Sequence, residues 1–573
     1  MVGAVFAVVG RRMRPATAPT QGRPGPNKVM PRKSPPEPQA GHVALVRALR
    51  EARAAHDPAG VAAAQADLAN EAFVAANRTL HAWMALTATH RGLLPRALDG
   101  DKQDFWNYAD VAADCYSHMV IAAHLLAPDL LAQQRAMLAQ ERRIAPPFQA
   151  VDLKTGALFN DGRRIFGGVE YAKDGLLSIL ESLGDTEWSE RLTEVVGQVW
   201  KNARPVRSGK VVLDDAEKNG EMLQVLARLW HRTHEPVYLK RGRAIADAYV
   251  SDVLPRSGGF PPVRYDFARD RPLTSESKLR DHGNEVVGGL VEWTLLERAA
   301  GHPQQARYAP AVERMLDGIL ERGRRPDGLF LNSIDEVEKP DRVLNDNWGY
   351  VAISYQAYGE SLPVGDPRRA RYLEAARSSL IAASRQRGAN WEWNAMDGFA
   401  DSIEGALYML AAVPEPEAGD WIDDEIGRLL AYSAPDGFVH RTYLDGNFVR
   451  TSLLYGLWKT AGVRPQPWRP GLRLGMERDG EGWRLSLRSD AAWQGVIRFD
   501  GPRHREVLHL PSNYPRLNEW PEWFAVESER SYSIEDASTK QRRTLPGRDL
   551  RAGIPVAVEA GKAMSWRIAE GGD

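Results

Sequence analysis

Between Val43 and Val463 the chain alternates two kinds of helical pattern. One kind is amphipathic and charged, with apolar positions three and four apart, as in 190–203, 238–250, 311–322, 369–387 and 421–432. The other is richer in Gly, Ala, Leu and aromatics, and each member opens with a polar cluster after a Gly- or Asp-containing loop. Those openings fall at 107–110, 168–174, 217–221, 281–285, 345–350, 397–404 and 445–450. Charged helices alternating with small-residue helices predict two layers, an outer one facing water and an inner one packed on both sides. Every second helix is then inner, so the inner helices run parallel and their N-termini converge at one end. The polar openings, far apart in sequence, are predicted to meet in a single basin.

From Pro465 the texture changes to short alternating runs separated by Gly, Pro and Asp turns. WRLSLRSD, WQGVIRFD, REVLHLP, FAVESE, SYSIED and VAVEAG read as strands, so 466–573 is expected to be a β-sandwich-like accessory domain. Tyr514, Trp520 and Trp523 within it are expected in the core. At the other end, 1–42 reads as a disordered leader. MVGAVFAVVG is too short to span a bilayer, its arginines follow the apolar run, and 15–39 is Pro-rich and basic. Met13 and Met30 are alternative starts, and a cytoplasmic location is favoured over export.

The densest chemistry lies in 390–405, NWEWNAMDGFADSIEG. Asp397, Asp401 and Glu404 fall at i, i+4 and i+7, which places three carboxylates on one helix stripe. Trp391 and Trp393 stand just upstream, where a loop would present their rings beside the acids. Aromatic faces pack on the C–H faces of a pyranose, and a carboxyl pair supplies the acid and base for a glycosidic bond. Asp401 and Glu404 are one candidate catalytic half, with Glu285 or Asp445 across the basin as the other. Glu170, Asn219, His282, Asn284, Asn347, Trp348, Tyr350, Trp391, Trp393, Asp397, Asn447 and Arg450 are the candidate substrate contacts.

A closed arrangement of this kind is an (α/α) toroid of six or seven helical hairpins, and mainly α is the expected fold class. The repeat pattern over 43–465 resembles the six-hairpin glycosidase superfamily, which includes unsaturated glucuronyl hydrolases, and also the toroid polysaccharide lyases. The resemblance implies a glycoside hydrolase acting on a uronic-acid-containing glycan, with Arg450 pairing the uronate. A lyase would instead neutralise the uronate with Asn219, Asn284, Asn347 or Arg450 and abstract a proton with Tyr350 or His282. A non-catalytic scaffold binding a glycan or peptide is the third reading. The richness in paired acids favours the hydrolase.

Composition narrows the field. The 74 basic and 75 acidic residues leave a formal net charge of −1, which offers no electrostatic footprint for nucleic acid. The single cysteine, Cys115, excludes an intrachain disulfide and a cysteine-based zinc cage. His282 has no histidine four residues on, so 281–285 is not a zinc helix. No Gly-rich phosphate loop and no Gly-x-Ser-x-Gly elbow occurs. No metal and no cofactor is expected, the expected partner is a carbohydrate, and no membrane segment is expected.

Overall fold

The computed structural model describes residues 34–99, 104–203, 213–336, 343–439, 441 and 443–571. Most of the expected leader lies outside these residues. Its last stretch does not, because the first helix begins at Ala40.

The helices are α1 (Ala40–Ala54), α2 (Pro58–Leu86), α3 (Ser117–Leu126), α4 (Leu131–Ile144), α5 (Arg164–Glu170) and α6 (Leu177–Leu183). They continue with α7 (Glu187–Asn202), α8 (Ala216–Thr233), α9 (Pro236–Ala248), α10 (Leu254–Arg256), α11 (Asn284–Ala299) and α12 (Gln305–Arg322). Then come α13 (Trp348–Glu360), α14 (Pro367–Ser384), α15 (Met396–Ala412), α16 (Pro416–Leu430) and α17 (Asn447–Lys459), with two short helices, Arg503–Glu506 and Gly547–Ala552, in the C-terminal part. A π-helical turn, Tyr108–Tyr116, leads into α3, and another, Tyr171–Leu176, joins α5 to α6.

The two predicted layers are present. α12 buries one face, through Tyr308, Val312, Met315, Leu316 and Ile319, whereas α13 buries every residue from Trp348 to Gly359. The buried rods pack in sequence: α3 on α6, α5 on α8, α8 on α11, α11 on α13, α13 on α15, and α15 on α17. α17 then packs back on α3, so the contacts run in cyclic order through seven rods. Starts meet starts and ends meet ends. The Asn347 side chain before α13 bonds Asp401 on α15, while Arg298 at the end of α11 bonds Tyr358 at the end of α13.

Glycines set the spacing. A Cβ on Gly349 would stand 2.3 Å from the Cα of Gly405, and one on Gly289 would stand 2.3 Å from the carbonyl oxygen of Gly220. Backbone therefore touches backbone at the α13–α15 and α8–α11 crossings. The cyclic order closes in the same way, since a Cβ on Gly446 would meet the Asp114 carbonyl at 2.1 Å.

The C-terminal part holds a five-stranded antiparallel sheet, in the order Arg542–Pro546, Ser531–Asp536, Ala563–Glu570, Gly482–Ser489 and Leu472–Asp479. A three-stranded antiparallel sheet is ordered Ile554–Val558, Trp493–Arg498 and Arg464–Gln466. The two share an apolar core of their own, and strand Leu472–Asp479 lies against α2. Two of the predicted strands are not strands. REVLHLP forms a short helix, Arg503–Glu506, and a loop, and FAVESE is loop. Leu508, Leu510, Tyr514, Leu517 and Trp520 join the helical core instead, with Trp523 packed beside it.

No helix among the described residues is long and apolar enough to cross a membrane. Gly349→Ala tests the spacing. The added methyl has only backbone to push against, so a loss of about 1–3 kcal/mol is expected, read as a lower melting temperature. An unchanged melting temperature would show that the crossing is looser than described.

Candidate active site

The starts of the rods form one acid-rich basin in two halves, with Asp110 and Asp114 of the turn before α3 next to both. One half belongs to α5, α8 and α11 and holds Glu170, Asp174, Glu217, Glu221 and Glu285. The other belongs to α13, α15 and α17 and holds Asp346, Glu392, Asp397, Asp401 and Asp445. The loop Arg280-Asp281-His282 before α11 joins them. The Asn347 Nδ2 donates to Asp401 Oδ2 at 2.8 Å, and its Oδ1 accepts from the Asp281 backbone N–H at 2.7 Å.

Asp401 lies in the basin and also accepts from the Tyr350 hydroxyl at 2.9 Å. Burial pushes its carboxyl well up, and Asp397, Asp346 and Glu404 push it further, against the pull of Arg450. Glu285 is likewise raised to about 8 by burial and by Glu217, with Lys173 opposing. Asp346 is raised to about 6, with burial ahead of the opposing Arg280. Asp445 rises by burial, and Asp397 by burial and then by Asp445, against a hydrogen bond from Asn447.

Asp281 behaves in the opposite way. Partial desolvation by the surrounding basin raises its carboxyl, but His282, Arg280 and more distant cations outweigh that and hold it below the usual range. Its side chain is 56% exposed, the most open of the acids at this junction. His282 has φ +70, a strained conformation for a residue with a Cβ. Its Nδ1 lies 2.7 Å from the Glu217 carboxylate. Asp281 keeps the imidazole charged, and with Glu217 it outweighs burial to raise the His282 pKa to about 10.

Several expected contacts are corrected by their burial. Glu404 is fully buried and salt-bridged to Arg450, whose Nε donates at 2.9 Å, and it also accepts from Thr451 Oγ1. Arg450 is itself buried, so it holds Glu404 instead of meeting a substrate carboxylate. Trp348 donates its Nε1–H to Ser402 inside the core, and Trp391 packs edge-on against Trp421. Asn219 is consumed by the Leu213 and Asp215 backbone. Asn284 is buried with both side-chain polar atoms unpartnered, and Asn447 sits at the start of α17 beside Asp397.

Trp393, unlike Trp391, reaches the surface. It is 53% exposed at the end of a loop in which Glu392, Trp393 and Asn394 have φ of 41, 56 and 57. Three consecutive left-handed residues cost roughly 1–2 kcal/mol each. The surrounding structure holds that strain, and it is what swings Trp393 outward. Arg280 lies 5.6 Å from its ring centroid and 3.2 Å from Asp346. Sequence reasoning missed Arg280, Asp346 and Glu392 as a group, although Arg280 adjoins the 281–285 cluster.

The basin's floor was also missed. The segment 513–520 reaches into the centre of the rods from their far ends. Arg516 donates to Glu181 at 2.6 Å, Tyr514 to Glu292 at 3.3 Å, and the Leu517 side chain covers Gly288. At its tip Asn518 donates to Asp174, which Lys173 meets at 2.6 Å. Burial raises the carboxyl of the neighbouring Glu519 to about 8 despite Arg516.

That shift makes a stability prediction with a fixed sign. A carboxyl raised in the folded state holds its proton there after the unfolded chain has released it. Stability must then fall as pH climbs from about 4, the ordinary carboxyl range, to about 8. Glu519→Gln should flatten the fall in melting temperature across that window. An identical pH profile for the variant would rule Glu519 out as its source.

No family model matches this chain, and no curated protein matches it. Among solved structures it is similar to the unsaturated glucuronyl hydrolase from Bacillus sp. GL1, at 14% identity and TM-score 0.37, over 56% of this chain and 83% of that one. It is also similar to the α-1,6-mannanase from Salegentibacter sp. HEL1_6, at 12% identity and TM-score 0.37, over 63% and 99%. A third is cellobiose 2-epimerase from Bacillus thermoamylovorans B4167, at 11% identity and TM-score 0.36, over 56% and 89%. At superposition scores this low the likeness assigns no chemistry, which has to come from the site's own residues.

Proposed function

We propose that this protein is a glycoside hydrolase. In this reading residues 43–465 form a closed α/α toroid of seven hairpins that carries the basin, and 466–573 form a β-sandwich accessory domain that also supplies the floor. The observation that carries the reading is that Asn347 ties the Asp401 carboxyl to the backbone of Asp281, two residues whose carboxyls are shifted in opposite directions. The Asp401 carboxyl is pushed well above its usual range and accepts from Asn347 Nδ2, while the Asp281 carboxyl is held below its usual range and the Asp281 backbone N–H donates to Asn347 Oδ1. Carboxyls whose environments push their protonation apart are what acid–base cleavage of a glycosidic bond requires. Asp401 protonates the departing glycosidic oxygen, and Asp281 takes the role of base or nucleophile on the opposite side. Trp393 offers a ring for a sugar face at the rim.

A neutral glycan is favoured over the uronate glycan that the sequence resemblance implied. Arg96, Arg163, Lys173, Arg280, His282 and Arg450 each meet a carboxylate already. The lyase reading finds little support, because burial and Asp401 push the Tyr350 hydroxyl well up and His282 is held protonated. Neither is placed to take a proton.

Incubation with a panel of neutral and uronate glycans tests the class. New reducing ends without an unsaturated chromophore are expected. Ends with the chromophore would mean β-elimination, and neither signal would favour the binding scaffold. On the active substrate, Asp401→Asn and Asp281→Asn should each lower kcat by about 10²–10⁴ with little change in melting temperature. Glu404→Gln should do the reverse in kind, since stranding the buried Arg450 costs roughly 3–5 kcal/mol. Equal melting losses in all three would make the Asn347 tie structural.

The pH profile gives an independent check. Activity should fall on the alkaline side as Asp401 loses its proton. Asp397 helps to keep that proton on, so Asp397→Asn should move the alkaline limb to lower pH. A limb that stays in place would assign it to another group.

A further inference from the structure

Glu170, at the end of α5, and Glu217 and Glu221, one turn apart on α8, each bring a carboxylate oxygen to a common point. These three oxygens lie within 4.8 Å of one another. Glu221 is 2% exposed, and its Oε2 has no hydrogen-bond partner. The nearest cations are already engaged. Lys173 Nζ sits 2.6 Å from Asp174, and His282 Nδ1 sits 2.7 Å from Glu217. A buried polar atom without a partner costs about 1–3 kcal/mol, more when charged, and carboxylates crowded together repel.

We propose that Glu170, Glu217 and Glu221 bind a hard divalent cation, with calcium the best match. The donors are all oxygen, and three carboxylates can offer up to six of the six to eight ligands that calcium takes. Three carboxylate oxygens within 4.8 Å of one another are close enough to share one calcium ion at about 2.4 Å each. Zinc and other borderline metals prefer nitrogen or sulfur, which the triad lacks. Glu217 also lies close to Asp281 and His282, but that group is open to solvent, with the His282 and Asp281 side chains 45% and 56% exposed. His282 instead orients Glu217 from the second sphere, as outer partners of metal-bound carboxylates do. The ion would set the charge balance of this half of the basin and fix α5 against α8. Its binding stands apart from the acid–base reading, because heat and melting report it without turnover.

The test is calorimetric titration of chelator-treated full-length protein with calcium chloride, in two buffers of different ionisation enthalpy. One saturable site is expected, with proton release as the crowded carboxyls give up protons, and with a higher melting temperature at saturation. Glu221→Gln and Glu170→Gln should each weaken binding at least tenfold while circular dichroism stays unchanged. Asp397→Asn, in the other half of the basin, should retain it. Absence of saturable heat and of any melting shift with calcium, magnesium or manganese up to about 10 mM would overturn the proposal, since even weak extracellular calcium modules bind below that. So would binding that survives undiminished in both glutamine variants. If a variant fails to fold, the wild-type titration still decides whether a site exists. Asp397→Asn, losing or keeping affinity, then decides which half holds it.

Discussion

Backbone meeting backbone at the glycine crossings is the constraint from which the site follows. At Gly220–Gly289 and Gly349–Gly405 neighbouring rods approach until no Cβ fits between them. Because the rods run in one direction, that approach draws their first turns together, and the acids of those turns with them. Wider spacing would leave Asp401, Asp346 and Asp397 as separate surface carboxylates with ordinary behaviour. Close spacing makes them a coupled group in which protonation becomes a structural variable.

The molecule deals with that crowding unevenly. Helix N-termini favour negative charge, so each rod individually tolerates an acid at its start. Guanidinium and ammonium groups then neutralise particular members: Arg450 serves Glu404, Arg280 serves Asp346, and Lys173 serves Asp174. What remains differs from place to place. His282 and Arg280 hold the Asp281 carboxyl below its usual range, whereas burial and three neighbouring acids push the Asp401 carboxyl well above it against one arginine. The chemistry proposed for the basin lives in that difference, and the floor segment matters because it closes the far side against water.

The two layers, the seven openings and their meeting place were legible in the sequence, because layer identity is written locally as the presence or absence of charge. Rotation about each helix axis was not. Asp401 and Glu404 are three residues apart and look alike in sequence, yet the Gly349–Gly405 contact turns Asp401 toward solvent and Glu404 inward to Arg450. Trp391 and Trp393 were equivalent on paper, and a left-handed turn that no local preference announces separates them. The alternation in REVLHLP and FAVESE reads as strand in isolation. Leu508 and Leu510 of the first join the helical core instead, while Phe524 and Val526 of the second pack into the β core without joining a sheet.

The proposed chemistry requires Asp401 to be neutral and Asp281 charged at the same pH, across one asparagine. Infrared difference spectroscopy of the wild type against Asp401→Asn and Asp281→Asn at pH 7 measures this directly. Asp401→Asn is predicted to remove a protonated-carboxyl band, and Asp281→Asn to remove only carboxylate intensity. Loss of carboxylate intensity in both variants, with no protonated band removed by either, would refute the assignment of acid and base.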